Sequence, residues 1–149
     1  MHYMNSSGSK ANVDDGALLE TAQATLSEGH RLLDSGDAAG ALIQYEKCRA
    51  SGEAMADDEM KKHVLGAATG SLGNAYYHLG RYDEAIKMHL QALEISREIG
   101  DRRGEGSDLG NLGLAYWSLG RYDEAIKMHL QALEISREIG DRRLSLIHI

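Results

Sequence analysis

The sequence predicts an all-α solenoid, in which antiparallel helix pairs stack on one another, and three observations lead to that prediction. Residues 79–103 and 119–143 are the same twenty-five residues, LGRYDEAIKMHLQALEISREIGDRR, offset by forty positions. An identical segment fits twice only where each unit packs against a neighbour like itself, as in a stacked array. Apolar residues recur at helical spacing within each unit. The chain of 149 residues also contains no proline, the commonest helix breaker.

Each forty-residue unit contains two helical patterns. In the last unit one stripe precedes the helix stop Gly120, and a second stripe precedes Gly140. The first stripe is Leu112, Ala115, Tyr116 and Leu119, and the second is Ala125, Ile126, His129, Ala132, Leu133 and Ile139. The preceding unit repeats both stripes. We therefore expect helix pairs near 60–79/82–99 and 103–119/122–139.

A diverged pair is predicted earlier, near 17–35/38–50. Its leucine-rich first helix ends at Gly36, and Asp37 is a favourable N-cap for the second helix. Equivalent residues lie 44 positions before those of the next unit, so Ser51–Asp58 is predicted to be a longer connection. The array then occupies 16–143, in units of about 17–50, 60–99 and 103–139, after a disordered leader at 1–15.

The recurring motif resembles the tetratricopeptide repeat. It is seen as Leu112-Gly113, Tyr116, Leu119-Gly120, Tyr122, Ala125-Ile126 and Ala132-Leu133. The forty-residue period is similar to that of a long-helix subgroup, which includes the G-protein-signalling modulators and the repeat arrays of invertebrates and bacteria. The resemblance covers about 17–143, although the proline often found late in the motif is missing. It implies a superhelix whose concave face binds a peptide segment of a partner, hence an interaction scaffold and no enzyme. The alternative is a sensor or regulatory region of a larger enzyme, a protease or an NTPase.

The composition excludes several classes of partner. The net charge is −7, and the whole excess lies in residues 1–60, which carry eleven acidic and four basic residues. Nucleic-acid binding needs clustered Lys and Arg, so we expect none. Cys48 is the single cysteine, which excludes an intrachain disulfide and favours a reducing, cytoplasmic location. We expect neither a secretion signal nor membrane insertion, because no apolar run is long enough.

Residues 144–149, LSLIHI, depart from the repeat. They resemble the translation of a sequencing-library adapter, so we expect a non-native tail and an array cut inside a repeat. A biological C-terminus is the alternative. The last helix then lacks its natural neighbour, and self-association through its uncovered face is possible.

The candidate peptide-binding residues lie beside the buried stripe on the first helix of each unit. The ten positions, four of each stripe and the ring beside it, are Ala67, Ser71, Asn74, His78 with Tyr77 in one unit and Ser107, Asn111, Leu114, Ser118 with Trp117 in the next. By resemblance to the family this stripe lines the concave groove, and the eight residues from Ser71 to His78 and from Asn111 to Ser118 are predicted to contact the peptide. An asparagine amide offers an extended backbone both a donor and an acceptor. The alternative is an ordinary solvent-exposed face whose residues have changed by sequence drift.

No metal, cofactor or catalytic site is predicted. His89 and His129 are forty residues apart without further recurring ligands, and zinc needs about four, so both are predicted to be buried packing residues. Cys48 aligns with alanines of the other units and is predicted to be a buried filler. Gly104-Glu105-Gly106 follows a helix where a dinucleotide-binding loop would follow a strand.

Overall fold

The computed structural model describes residues 13–147, apart from the side chains of Ser145 and Ile147, and confirms the all-α prediction in that range. It contains six helices: α1 (Asp15–Asp34), α2 (Ala38–Glu53), α3 (Asp58–His78), α4 (Tyr82–Ile99), α5 (Arg102–Ser118) and α6 (Tyr122–Ile147). The predicted leader, 1–15, lies outside the described residues except for its last three. Of these, Asp14 caps α1 and Asp15 begins it.

The helices stack in chain order. Each one packs mainly against the helix before it and the helix after it, and α3 additionally touches α1 and α5. The first helices of the three pairs therefore lie side by side on one face of the stack. This nearest-neighbour packing is the solenoid that the repeated segment predicts.

The turns between helices depend on glycine and aspartate. Four helices are followed by a glycine with positive φ, a conformation that other residues rarely adopt: Gly36, Gly80, Gly100 and Gly120. Aspartate side chains accept hydrogen bonds from the first turns of α1, α2, α3 and α5. The short connections keep the two helices of each pair antiparallel.

In each pair, a side-chain ring of the second helix packs against a glycine of the first helix. A Cβ atom at Gly73 would lie 2.5 Å from Nε2 of His89, and one at Gly29 would lie 2.4 Å from Cε1 of Tyr45. The same contact joins Gly113 and His129. Glycine at these positions is required because the ring occupies the space of a side chain.

Two predicted boundaries are wrong. α2 continues to Glu53, so only residues 54–57 of the proposed Ser51–Asp58 connection are non-helical. The carboxylate of Asp15 holds them by accepting hydrogen bonds from the backbone N–H of Ala56 (2.8 Å) and Asp57 (2.9 Å). Gly140 does not end its helix, because α6 continues to Ile147.

The predicted burial of the last helix is also wrong. His89 is buried whereas His129, its counterpart in the identical segment, is exposed. Ile126 and Leu133 are likewise 52% and 47% exposed, although their counterparts in α4 are buried. The reason is that α5 covers α4, while no helix follows α6 in the part of the chain described.

Candidate functional site: a cavity on the concave groove

A cavity of about 570 Å³ opens between α3 and α5. Its lining combines both helices with the end of α4 and the turn after it: His63, Gly66, Ala67, Gly70, Ser71, Asn74, Ser96, Ile99, Asp101, Gly104, Ser107, Asp108 and Asn111. Five of the ten stripe positions predicted from the sequence are among them. We call this surface, together with the ends of α3 and α5 that continue it, the concave groove.

Glycines of α3 lie in the cavity lining close to the facing helices. A Cβ atom at Gly66 would lie 3.2 Å from Ile95, and one at Gly70 would lie 3.7 Å from Oδ1 of Asp108. At Gly66 the absence of a side chain therefore lets α3 pack closely on α4. Gly104 has a different role, since its N–H donates to Oδ1 of the cap residue Asp101 at 2.9 Å.

Two asparagines from different helices reach the cavity. Asn74 comes from α3 and Asn111 from α5, and both are half-buried. Neither amide forms a hydrogen bond with another described side chain or backbone group. Each therefore retains a donor and an acceptor for a ligand. Ser71, one turn before Asn74 on α3, also lines the cavity and is buried.

The remaining predicted residues lie outside the cavity, at the C-terminal ends of α3 and α5. The hydroxyl of Ser118 donates to that of Tyr77 across the two helices (3.4 Å), and His78 stacks edge-on against Tyr77. Leu114 and Trp117 are exposed, and the indole packs against Tyr122 with ring centroids 4.6 Å apart. The structure thus separates the eight predicted contact residues into three in the cavity and five on its continuation.

Sequence reasoning missed the acidic side of the cavity. Asp108 on α5 is only 7% exposed, and its Oδ2 accepts a hydrogen bond from the hydroxyl of Ser96 at 3.0 Å. Burial raises the pKa of this carboxyl group to about 6, and the charges of Asp101 and Glu105 act in the same direction, whereas the Ser96 hydrogen bond opposes it. A comparison of the units would have found it, because Asp108 replaces Ala68 at the equivalent position.

The groups considered for metal binding or catalysis lie elsewhere. Burial lowers the pKa of His89 to about 4 and raises that of the Cys48 thiol, and both side chains are enclosed by packed helices. Within residues 13–147 no cluster of three His, Cys, Asp or Glu is arranged to hold a metal ion. Over the same residues, no helix is long and apolar enough to cross a membrane.

Stacked helix–turn–helix units around a groove define a helical-repeat interaction module. The tetratricopeptide repeat family model matches residues 64–138, about half of the chain. The chain belongs to the tetratricopeptide repeat family, as its motif predicts.

Similar proteins agree with this assignment. The chain is 38% identical to mouse G-protein-signaling modulator 1 over 78 residues, and 36% identical to the human protein over the same length. These matches cover 52% of the chain but only 11% of the relatives' length. The fold is similar to that of the TPR domain of Arabidopsis FLU, with a TM-score of 0.72 and 21% identity over 81% of this chain and 98% of that one.

Proposed function

We propose that the chain binds an extended peptide segment of a partner protein in the concave groove. The observation that carries this proposal is the pair of asparagine amides, Asn74 and Asn111, which reach one cavity from two helices and have no hydrogen-bond partner within residues 13–147. The N–H and C=O groups of an extended peptide have no partners within their own segment. The amides of Asn74 and Asn111 can donate hydrogen bonds to these backbone groups and accept hydrogen bonds from them.

The physical basis of binding is a rigid surface. Helices fixed by their neighbours hold the side chains in place, so little conformational entropy is lost when the peptide docks. A cavity of about 570 Å³ falls in the range of pockets that enclose small ligands or a few residues of a chain. Tyr77, Leu114 and Trp117 supply apolar and aromatic contact area beyond the cavity, as is typical of binding surfaces.

The similarity to G-protein-signaling modulator 1 favours an interaction scaffold over the regulatory region of an enzyme. A cytoplasmic location stays a prediction from the single cysteine.

The proposal is tested by replacing Asn74 and Asn111 together with alanine. Peptides are first selected from a random display library on the wild-type chain, and their affinity is then measured by the fluorescence of Trp117, the single tryptophan. The double variant should bind about 1–3 kcal/mol more weakly, because backbone groups of the peptide are left unpaired.

The matched control replaces Gln91, an exposed amide on α4 outside the cavity, by alanine. This variant should bind as the wild type does. Equal affinity of the double-asparagine variant and the wild type would move the binding site away from the cavity.

A further inference from the structure

The repeat places an acid where packing requires only a small apolar residue. Asp108 on α5 corresponds to Ala68 on α3 and to Ala24 on α1. Ala68 is fully buried, which shows that alanine fits this position between helices of the same array. A buried carboxylate costs free energy unless charged or polar groups compensate it. Packing therefore does not explain why the third unit carries an aspartate here.

The carboxylate is incompletely satisfied and faces the cavity. Its Oδ2 accepts a hydrogen bond from the Ser96 hydroxyl, whereas Oδ1 faces Gly70, whose Cβ position would lie 3.7 Å away, and both residues line the cavity. Within residues 13–147 Asp108 takes part in no ion pair. A carboxylate that is more than nine-tenths buried thus lines the cavity, and among the described residues Oδ1 has no hydrogen-bond partner.

The surrounding charges leave this acid without a cation. Two arginines of α4 and α5, Arg97 and Arg102, are both engaged by Glu105, at 3.3 and 3.0 Å, and Arg102 also pairs with Glu138. The cavity lining contains a second carboxylate, Asp101, and no Lys or Arg. His63 on α3 is the one basic side chain of the lining. The raised pKa of Asp108 agrees with a buried acid that lacks a cationic partner.

We propose that the cavity receives a lysine or arginine side chain of the bound segment, with the Asp108 carboxylate as its counter-ion. This inference rests on the proposed peptide-binding function and names the residue type that the groove selects. The bound cation pairs with Oδ1 and so compensates the carboxylate for the hydration that it loses on burial. Asn74 and Asn111 contact the peptide backbone on either side of the basic residue. Negatively charged segments are repelled by Asp101 and Asp108 together.

The test uses N-acetyl-arginine amide as the probe and N-acetyl-citrulline amide as its uncharged match. The carboxyl carbon of Asp108 is observed by NMR at pH 7 during each titration, with sodium chloride as the ionic-strength control. We expect the arginine derivative to shift the Asp108 signal saturably and to lower its pKa, since an opposite charge stabilises the ionised form. Citrulline should leave the signal within the range of the salt control.

Three variants make the result specific. Asp108→Asn keeps the shape and an acceptor for Ser96, and it should weaken arginine binding about tenfold or more, as expected for loss of a charged hydrogen bond. Glu134→Gln removes one charge at an exposed site on α6 and should leave binding within twofold. Asp108→Ala, the residue found at position 68, checks by circular dichroism that the array folds without the acid.

The outcomes separate this inference from the proposed function. If citrulline and arginine shift Asp108 alike, or if Asp108→Asn binds arginine as the wild type does, the charge assignment is overturned. Peptides from the display selection that lack basic residues and still depend on Asn74 and Asn111 would overturn it too, while leaving the groove as the peptide site. Loss of the asparagine dependence would instead overturn the proposed function.

Discussion

In every unit, a side-chain ring of the second helix packs on a glycine of the first helix, and this contact contributes to the stability of the unit. His89 shows the most demanding case: its ring lies against Gly73, and its buried Nδ1 has no hydrogen-bond partner among the described residues. The ring is therefore held by its packing against Gly73 and the helices around it. Changes on either side of this contact, or in the charge of the ring, should affect stability directly.

Replacing Gly73 by alanine should destabilise the array, because its Cβ would lie 2.5 Å from His89 Nε2. The cost expected for such overpacking is about 1–3 kcal/mol. Gly110→Ala is the matched control on α5, since nothing lies within 4 Å of a Cβ atom there. Alanine at an open helical position should stabilise by about 0.5–1 kcal/mol. Urea unfolding of both variants measures the difference, and equal effects would contradict the ring-on-glycine contact.

Stability should fall on acidification because of His89. Its pKa is lowered from an ordinary value of about 6.5 to about 4 by burial, so the folded state binds fewer protons than the unfolded state between those values. The free energy of unfolding contributed by this group is fully present above pH 6.5 and is lost as the pH falls toward 4. NMR titration of the His89 ring gives the pKa directly.

The control for this pH dependence is His89→Tyr, because Tyr45 already packs on Gly29 at the equivalent position. Its unfolding free energy should depend less on pH between 4 and 6.5 than that of the wild type. A His89 pKa above 6.5 would show that the ring is not enclosed as described.

At the scale of the helix, the two identical segments show what sequence can and cannot determine. The forty-residue period, the helix pairs and the glycine stops at Gly80 and Gly120 are predicted correctly, because they depend on local residues. Gly100 ends α4, yet Gly140 in the same local sequence lies within α6. Two things differ: Leu109 and Leu112 of α5 pack against α4, and the shared sequence ends at Arg143, where Leu144 takes the place of Gly104. Tertiary contacts of this kind are not visible in a local pattern.

Substitution of Leu93 and of Leu133 measures how much the covering helix contributes to stability. They occupy the same position of the identical segment, but Leu93 is 5% exposed in the core and Leu133 is 47% exposed. Leu93→Ala should cost about 2–5 kcal/mol of unfolding free energy, and Leu133→Ala should cost less than about 1 kcal/mol, in the range of surface changes. The two variants are compared by urea unfolding at several protein concentrations.

A large, concentration-dependent cost of Leu133→Ala would show that another molecule covers α6 in solution. That result would support the predicted self-association through this face. A large cost that does not depend on concentration would contradict the exposure of α6 itself.

At the scale of the whole molecule, the array places its variation on one face. The second helices α4 and α6 share one sequence over residues 82–99 and 122–139, whereas α3 and α5 differ at the residues that face the groove. The sequence placed Asn74 and Asn111 on corresponding faces of α3 and α5, and the structure brings both into one cavity. The sequence did not predict the acidic side, because Asp101, Ser96 and Asp108 meet only when α4, α5 and the intervening turn are folded.

The most direct test of the central claim, peptide capture between α3 and α5, is NMR of the side-chain amides during titration with a selected peptide. We expect the resonances of Asn74 and Asn111 to shift together and to saturate with the affinity given by Trp117 fluorescence, while Gln91 on α4 does not move. Saturation of the Gln91 resonance with both asparagine resonances unmoved would contradict the claim and place the peptide elsewhere on the solenoid.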